Sequence, residues 1–373
     1  MFVTLFRKQN LYSVQCLNLA MADAYVALEN GTLLAGRARS PGETAGEIVF
    51  TTPYTGYEES LTDPSYEAQV LTFAYPLIGN YGVRAERFES DRVHPSAAVG
   101  REFTDAVAEW LQREGVPAVD EVDTRALVRS IREEGAMRCG VAAGPEATPE
   151  RARDLLGEAP RMGDLTAIGD RVTVPSAAVH GADNAGPTVA LLDCGTKASI
   201  VDSLVDRGAT VHVLPYDAEP ETVAALDPDL LFVSNGPGDP ANYGQTRTLV
   251  DRFLGSVPIA GICLGMQIVA EAVGGSTTKM AFGHRGVNQP VLDHDTERVL
   301  MTTQNHGYMV EDAGDLAVTQ ENVNDGTPEA AESAALDVIT RQYHPEAHPG
   351  PHDTLSFFDD VLAMATAGAH PAD

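Results

Sequence analysis

A cysteine set between glycines, Gly261-Ile262-Cys263-Leu264-Gly265, follows directly on the apolar run Val257-Pro258-Ile259-Ala260. That order reads as a nucleophile elbow, a strand-to-helix turn so tight that small residues must flank it, with the central side chain projecting alone above the sheet. It also sets Cys263 at a helix N-terminus, where free N–H groups and the positive end of the helix dipole stabilise a thiolate. Taken alone, the pattern also fits a small buried cysteine in a Gly-rich strand. A second element shifts the balance: Gln342-Tyr343-His344-Pro345-Glu346 supplies a base and a carboxylate two residues apart. In extended chain such residues share a face, and Pro345 disfavours helix at His344. His344 then takes the thiol proton while Glu346 holds the imidazole tautomer, so the spacing predicts a Cys263, His344, Glu346 triad.

Rival assignments fare worse. His344, His348 and His352 recur at helical spacing, as a metal-ligand stripe would, but Pro345, Pro349, Gly350 and Pro351 forbid that helix. No metal site is expected. His306, and His284 in the turn-like Phe282-Gly283-His284-Arg285-Gly286, could serve as bases for Cys263, yet neither has a carboxylate two residues on. Cys194 ends an expected strand but lacks the second glycine of an elbow, which makes packing its simpler role. Lys197 stands out in a lysine-poor chain and has no role assignable from sequence.

The elements that must position these residues fall into two halves. From Ala22 onward, apolar alternation around an Asn30-Gly31 turn predicts a β-hairpin, with further strands at Gly46–Phe50 and Val70–Tyr75. Thr104–Arg113 and Thr124–Arg132 carry helical spacing, so residues 21–171 read as a mixed α and β N-terminal domain. Residues 172–187 turn to Ala, Gly, Pro and Ser and read as a linker. Over 188–373 strands and helices alternate: Thr188–Leu192, Ile200–Arg207, Thr210–Leu214, Leu230–Val233, Leu249–Leu254 and Ile259–Ile262, then the elbow helix. Alternation of this kind predicts an α/β fold with a doubly wound, mostly parallel sheet and a site at the carboxyl ends of its strands. Ser234 and Cys263 both sit at such ends. Gly236-Pro237-Gly238 is either a plain turn or, on that same edge, a source of N–H donors for an oxyanion, alongside the N–H of Leu264.

Length and charge bound the answer independently. The 373 residues suffice for two domains with their own cores. Lys and Arg total 25 against 54 Asp and Glu, and Lys8, Lys197 and Lys279 are the only lysines. Such a surface repels itself in ordinary salt, but molar salt shortens the Debye length to about 3 Å, so the natural setting is the cytoplasm of an extreme halophile. The charge makes nucleic acid and anionic membrane poor partners. Cys16, Cys139, Cys194 and Cys263 form no C-x-x-C pair and no metal-finger spacing, which points to a reducing compartment. No apolar run reaches the length of a membrane span. The first twenty residues hold Arg7 and Lys8 and no acid, a net +2 against −31 for the remainder. That break predicts a disordered or mis-annotated extension over 1–20.

Taken together, the elbow, the upstream Ser234-Asn235-Gly236-Pro237-Gly238-Asp239-Pro240 and the downstream His344-Pro345-Glu346 resemble the class I (triad) glutamine amidotransferase domain. The N-terminal Thr55-Gly56-Tyr57-Glu58-Glu59-Ser60-Leu61-Thr62-Asp63-Pro64-Ser65-Tyr66 and Tyr75-Pro76-Leu77-Ile78-Gly79-Asn80-Tyr81-Gly82 narrow the resemblance to the glutaminase small chain of carbamoyl-phosphate synthase. It covers roughly residues 21 to 365, and residues 22–31 resemble the family's usual opening strand, which implies a natural start at Met21. The resemblance implies glutamine hydrolysis through a thioester on Cys263, with Gly236, Gly238, Leu264, Gln267, Asn305, Gly307 and Tyr308 at glutamine-binding positions. Without it, Gln304–Tyr308 reads as a polar surface loop. Pro53 stands where that family commonly places a serine contacting glutamine, and proline cannot donate that hydrogen bond. The resemblance also implies a large synthetase chain as partner, in a heterodimer or a higher oligomer of heterodimers. That chain would bind ATP, Mg and bicarbonate, since no G-x-x-x-x-G-K-[ST] loop occurs here and no cofactor is expected in this chain. The competing readings are the glutaminase of another amidotransferase and a non-catalytic regulatory subunit of the same fold.

Overall fold

The computed structural model describes residues 22–368, and the expectations for residues 1–20 and a start at Met21 lie outside them. The chain divides into two compact units. Among the described residues, the first takes those up to Tyr57 with Ala68–Arg84 and Pro95–Arg161; the second takes Glu58–Glu67, Ala85–His94 and those from Met162 onward. Two short stretches of the N-terminal half therefore belong to the second unit.

The first unit is a closed barrel whose strands run Ala24–Leu28, Leu33–Ser40, Ala118–Asp120, Ala97–Val99, Gln69–Phe73, Gly42–Thr51 and Met137–Ala143, the last pairing back onto the first. The expected hairpin forms as its residues dictate. Gly31 takes φ +89° and the Asn30 side chain accepts the Thr32 N–H at 3.0 Å. Both expected helices are present, at Asp105–Arg113 and Thr124–Glu134. Asp123 caps the second by accepting the Ala126 N–H at 3.0 Å, and Leu127 and Ile131 bury its apolar stripe. Helix Pro149–Glu158 lies so close on the barrel that a Cβ at Gly140 would collide with the Ala152 carbonyl.

The second unit is built on a ten-stranded sheet. Its centre is parallel, in the order Thr210–Pro215, Thr188–Asp193, Leu230–Val233, Ile259–Ile262 and Val338–Arg341. One face packs Val189, Leu191, Phe232 and Ile262 against Ile200 and Leu204 of helix Ala198–Val205 and against Phe357, Phe358 and Val361 of helix Ser356–Gly368. At about 25 cal/mol per Å² of apolar area removed from water, such side chains each contribute on the order of 1.5–3 kcal/mol. Beyond Val338–Arg341 the sheet turns antiparallel, through Pro328–Ser333, Ala317–Asn322, Ser276–Asp293 and Arg298–Asp312. Within the stretch read as a linker, Ala178–His180 adds an antiparallel edge strand against Thr210–Pro215.

Two local expectations are corrected. Gln304–Tyr308 is no surface loop from its residue types: it lies inside strand Arg298–Asp312, with Gln304, Asn305 and His306 buried. His284 is not in a turn either, but in strand Ser276–Asp293, opposite His306. Bulges explain the misreading, since the register shifts between Lys279 and His284, where Gly283 takes φ +72°. Among the described residues, no helix is long and apolar enough to cross a membrane.

Candidate active site

Strand Ile259–Ile262 runs straight into helix Leu264–Ala272, leaving Cys263 as the residue between them. The turn is possible only because its neighbours are glycines. A Cβ at Gly261 would lie 2.7 Å from the Gly265 backbone, and one at Gly265 would strike the Val233 carbonyl. Cys263 itself adopts φ +54° and ψ −106°, a conformation L-residues avoid and that active sites retain when the surroundings impose it. Its N–H donates to the Arg341 carbonyl at 2.7 Å, and its Sγ lies 3.6 Å from the Asn305 carbonyl oxygen.

Strand Val338–Arg341 pairs in parallel with Ile259–Ile262, so the chain after both strands emerges on one edge of the sheet. That register carries His344 to the elbow. The His344 N–H donates to the Thr303 carbonyl at 2.8 Å, and His344 Nδ1 meets Glu346 Oε1 at 2.6 Å. The pairing is as expected, but the local reason differs. His344 to Ala347 form a turn closed by an Ala347 N–H bond to the His344 carbonyl at 3.2 Å, not an extended strand. His344 Nε2 is buried without a hydrogen bond. Burial opposes a charge on His344, but the Glu346 carboxylate overrides it, with the Cys263 thiol adding to the effect, and the imidazole is lifted to about 10. Burial likewise opposes ionisation of Glu346, and Lys197 and His344 hold it far below the usual carboxylate range.

Lys197, to which sequence reasoning assigned nothing, is the counter-charge of this pair. Its Nζ donates to Glu346 Oε1 at 2.9 Å and lies 3.4 Å from Glu89 Oε1, with only 3% of the residue exposed. Against burial, which would discharge it, Glu346, Glu89 and Asp63 keep it cationic. A lysine just past an expected strand end, in a chain with only three lysines, was the available signal.

The loop after strand Leu230–Val233 lies beside the elbow. A Cβ at Gly236 would meet the Cys194 carbonyl and, at 2.9 Å, Leu264 Cδ2, while Gly238 takes φ +91°. Gln267 is buried one turn into the elbow helix, and its Nε2 donates to the Tyr308 carbonyl at 2.9 Å and to Gln342 Oε1 at 3.1 Å. Asn305 donates from Nδ2 to Asp63 Oδ2 at 2.8 Å. Asp63 in turn accepts the Ser65 N–H at 2.9 Å, and Ser65 Oγ accepts from Asn235 Nδ2 at 3.0 Å. The Glu58–Glu67 stretch thus joins the site strand to the loop. Gly307 lies next to Arg285, a Cβ there meeting Nη2 at 3.2 Å. The structure therefore gathers Cys263, His344, Glu346, Gly236, Leu264, Gln267, Asn305 and Tyr308 around one edge. Pro53 lies in the first unit, just past strand Gly42–Thr51.

The rival bases are occupied. His306 bonds the Tyr308 carbonyl through Nδ1 at 2.8 Å and Gln304 Oε1 through Nε2 at 2.9 Å, and burial pushes its basicity well down. His284 bonds Gln304 through Nδ1 at 3.0 Å and Asp325 through Nε2 at 2.8 Å. With Glu329 these two histidines form the group of described residues close enough to share a metal, their ligand atoms within 4.8 Å. Their ring nitrogens are engaged within the protein. Cys194 and Cys139 are wholly buried, and burial pushes both thiols strongly up, as packing residues require.

Residues 190–364 match the family described as Glutamine amidotransferase class-I, and residues 26–141 match Carbamoyl-phosphate synthase small chain, CPSase domain. The carbamoyl phosphate synthase small chain of Halobacterium salinarum is 69% identical over 352 residues, covering 94% of this chain and 99% of that protein. Its counterpart from Archaeoglobus fulgidus is 43% identical over 354 residues, covering 91% and 98%. That of Methanocaldococcus jannaschii is 40% identical over 349 residues, covering 92% and 99%. An elbow cysteine, its His–Glu couple and near full-length similarity to these proteins place the chain in the carbamoyl-phosphate synthase small chain family.

Proposed function

We propose that this chain is the glutamine-hydrolysing subunit of a carbamoyl-phosphate synthase, with Cys263 as nucleophile, His344 as base and acid, and Glu346 as the group that orients His344. The observation that carries the reading is the strained Cys263 held at the elbow beside a buried His344–Glu346 couple. A glutamine side-chain amide would seat against the strand Asn305–Tyr308, with Gln267 below it. Cys263 Sγ attacks the amide carbon, and the oxyanion that forms is met by the N–H of Leu264 and one from the Gly236–Gly238 loop; losing one such donor costs on the order of 10²–10³ in rate. His344 passes its proton to the departing nitrogen, so ammonia leaves and a γ-glutamyl thioester remains. Water, deprotonated by His344, attacks the thioester, and glutamate and the thiol are restored.

The partner in this reading is a large synthetase chain, which takes the ammonia with ATP, Mg and bicarbonate and makes carbamoyl phosphate for arginine and pyrimidine synthesis. The acid-rich, lysine-poor composition supports a halophile's cytoplasm as the setting. Pro53 in place of a serine weakens glutamine binding in this scheme. The deciding experiment mixes residues 21–373 with a candidate large chain in molar KCl and follows carbamoyl phosphate from glutamine or from free ammonia. Cys263→Ala should abolish the glutamine-dependent product and leave the ammonia-dependent one. Glutamine hydrolysis without carbamoyl phosphate would keep the triad and reject the partner, whereas loss of both would sink the reading.

A further inference from the structure

The triad does not end at Glu346. Glu346 Oε1 accepts from His344 Nδ1 at 2.6 Å and from Lys197 Nζ at 2.9 Å. The same Nζ lies 3.4 Å from Glu89 Oε1, and that oxygen lies 3.6 Å from His348 Nδ1. Lys197, Glu89 and Glu346 are buried, whereas the His348 side chain is 55% exposed. A line of alternating charge therefore runs from the base beside Cys263 to solvent.

Glu89 is fixed for this place. Its N–H donates to Thr62 Oγ1 at 2.8 Å, and its carbonyl accepts the Ala198 N–H at 2.8 Å. Its Oε2 accepts from the Ser199 N–H at 3.1 Å and from Ser199 Oγ at 2.7 Å, at the start of helix Ala198–Val205. All of its hydrogen bonds thus leave Oε1 free of one, facing Lys197 and His348. Two carboxylates then share one ammonium. Glu346 is only partly neutralised, and its remaining charge draws a proton onto His344 and favours a thiolate at Cys263. Were Glu89 uncharged, Lys197 would neutralise Glu346 alone and that draw would weaken.

We propose that Glu89 is a positioning residue for the triad, acting through Lys197, and that protonation of His348 diverts Glu89 and weakens its action. The proposal rests on Cys263 being the nucleophile. The other charges facing this line are Asp63 toward Lys197, Glu59 toward Glu89, and Asp202 toward both Glu89 and His348, with Glu58 and Arg87 acting on Glu59 and Asp206 and His180 on Asp202. Lys197 and His348 are the cations that act on Glu89, against the Glu346 carboxylate. In support, the Glu89 carboxylate raises His348 above its ordinary value, against burial.

The test is the rate at which iodoacetamide alkylates Cys263 in the full chain, read by peptide mass across pH in molar KCl, with Cys263→Ala as blank. Below the His348 titration, His348→Gln should react about three- to tenfold faster than the parent. Above it the two rates should converge. Glu89→Gln should be slower throughout and lack the His348 inflection. Coincident profiles for the parent and His348→Gln would overturn the proposal, and this surface variant decides the matter even where Glu89→Gln does not fold. Alkylation with the inflection but without glutamine hydrolysis would reject the functional reading and leave the proposal standing; coincident profiles with full hydrolysis would do the reverse.

Discussion

Cys263 combines two demands that ordinary residues do not face together, a reactive side chain and a backbone at φ +54°. Glycine carries no penalty there, whereas an L side chain costs on the order of 1–2 kcal/mol. Cys263→Gly should therefore unfold at a higher denaturant midpoint than Cys263→Ala, by about 1 kcal/mol, with both inactive on glutamine. Equal midpoints would mean that the elbow relaxes freely and stores no strain. The neighbouring charges set a pH window. Glu346 is held below its unfolded value, so its contribution is present above about pH 4.5 and is lost as pH falls. His344 is raised from about 6.5 to about 10, so its contribution is present below about pH 6.5 and is lost as pH rises through 10. Denaturation midpoints should show both limbs, and His344→Gln should flatten the alkaline one. An alkaline limb unchanged in that variant would remove His344 from the ledger.

At the scale of elements, the active edge is assembled from parts whose legibility differs for physical reasons. The parallel core reads from sequence because buried strands and amphipathic helices alternate with turn residues between them, and strand Ile259–Ile262 with its glycines announces the elbow. The antiparallel extension from Ser276 to Asn322 does not. Its strands carry polar residues on both faces, buried in a network of His284, Gln304 and His306, and bulges break the period-two pattern. Barrel closure in the first unit was equally hidden, since it depends on Ala24–Leu28 meeting Met137–Ala143, a pairing no local window contains. Asp63 was visible only as part of a family motif, and its grip on Asn305 appears once the strand is in place. That contact orients the strand proposed to seat glutamine. Asp63→Ala should raise the KM for glutamine about tenfold, the equivalent of one hydrogen bond to a charged group, with Cys263 alkylation little changed. An unchanged KM with slowed alkylation would instead place Asp63 with the triad through its charge on Lys197.

Over the whole molecule, two kinds of electrostatics coexist and respond differently to salt. The formal net charge of −29 is spread over a surface where self-repulsion reaches tens of ångströms at low ionic strength and only about 3 Å at 1 M. The chain as a whole should become markedly more stable between 0.1 M and 3 M KCl. The Glu89–Lys197–Glu346 cluster is buried beyond the reach of such screening. Removing its one lysine leaves two buried carboxylates facing each other, which costs on the order of 3–5 kcal/mol for a broken buried pair. Lys197→Met should therefore lose about that much stability at 0.1 M and at 3 M KCl alike, even as both proteins rise together with salt. Adding Glu89→Gln should return part of the loss, because only one of the two carboxylates that shared the lysine then remains charged. A penalty that shrinks with salt as steeply as the total stability grows would show that water and ions enter the cluster, and that the Glu89–Lys197–Glu346 charges are open to solvent rather than buried.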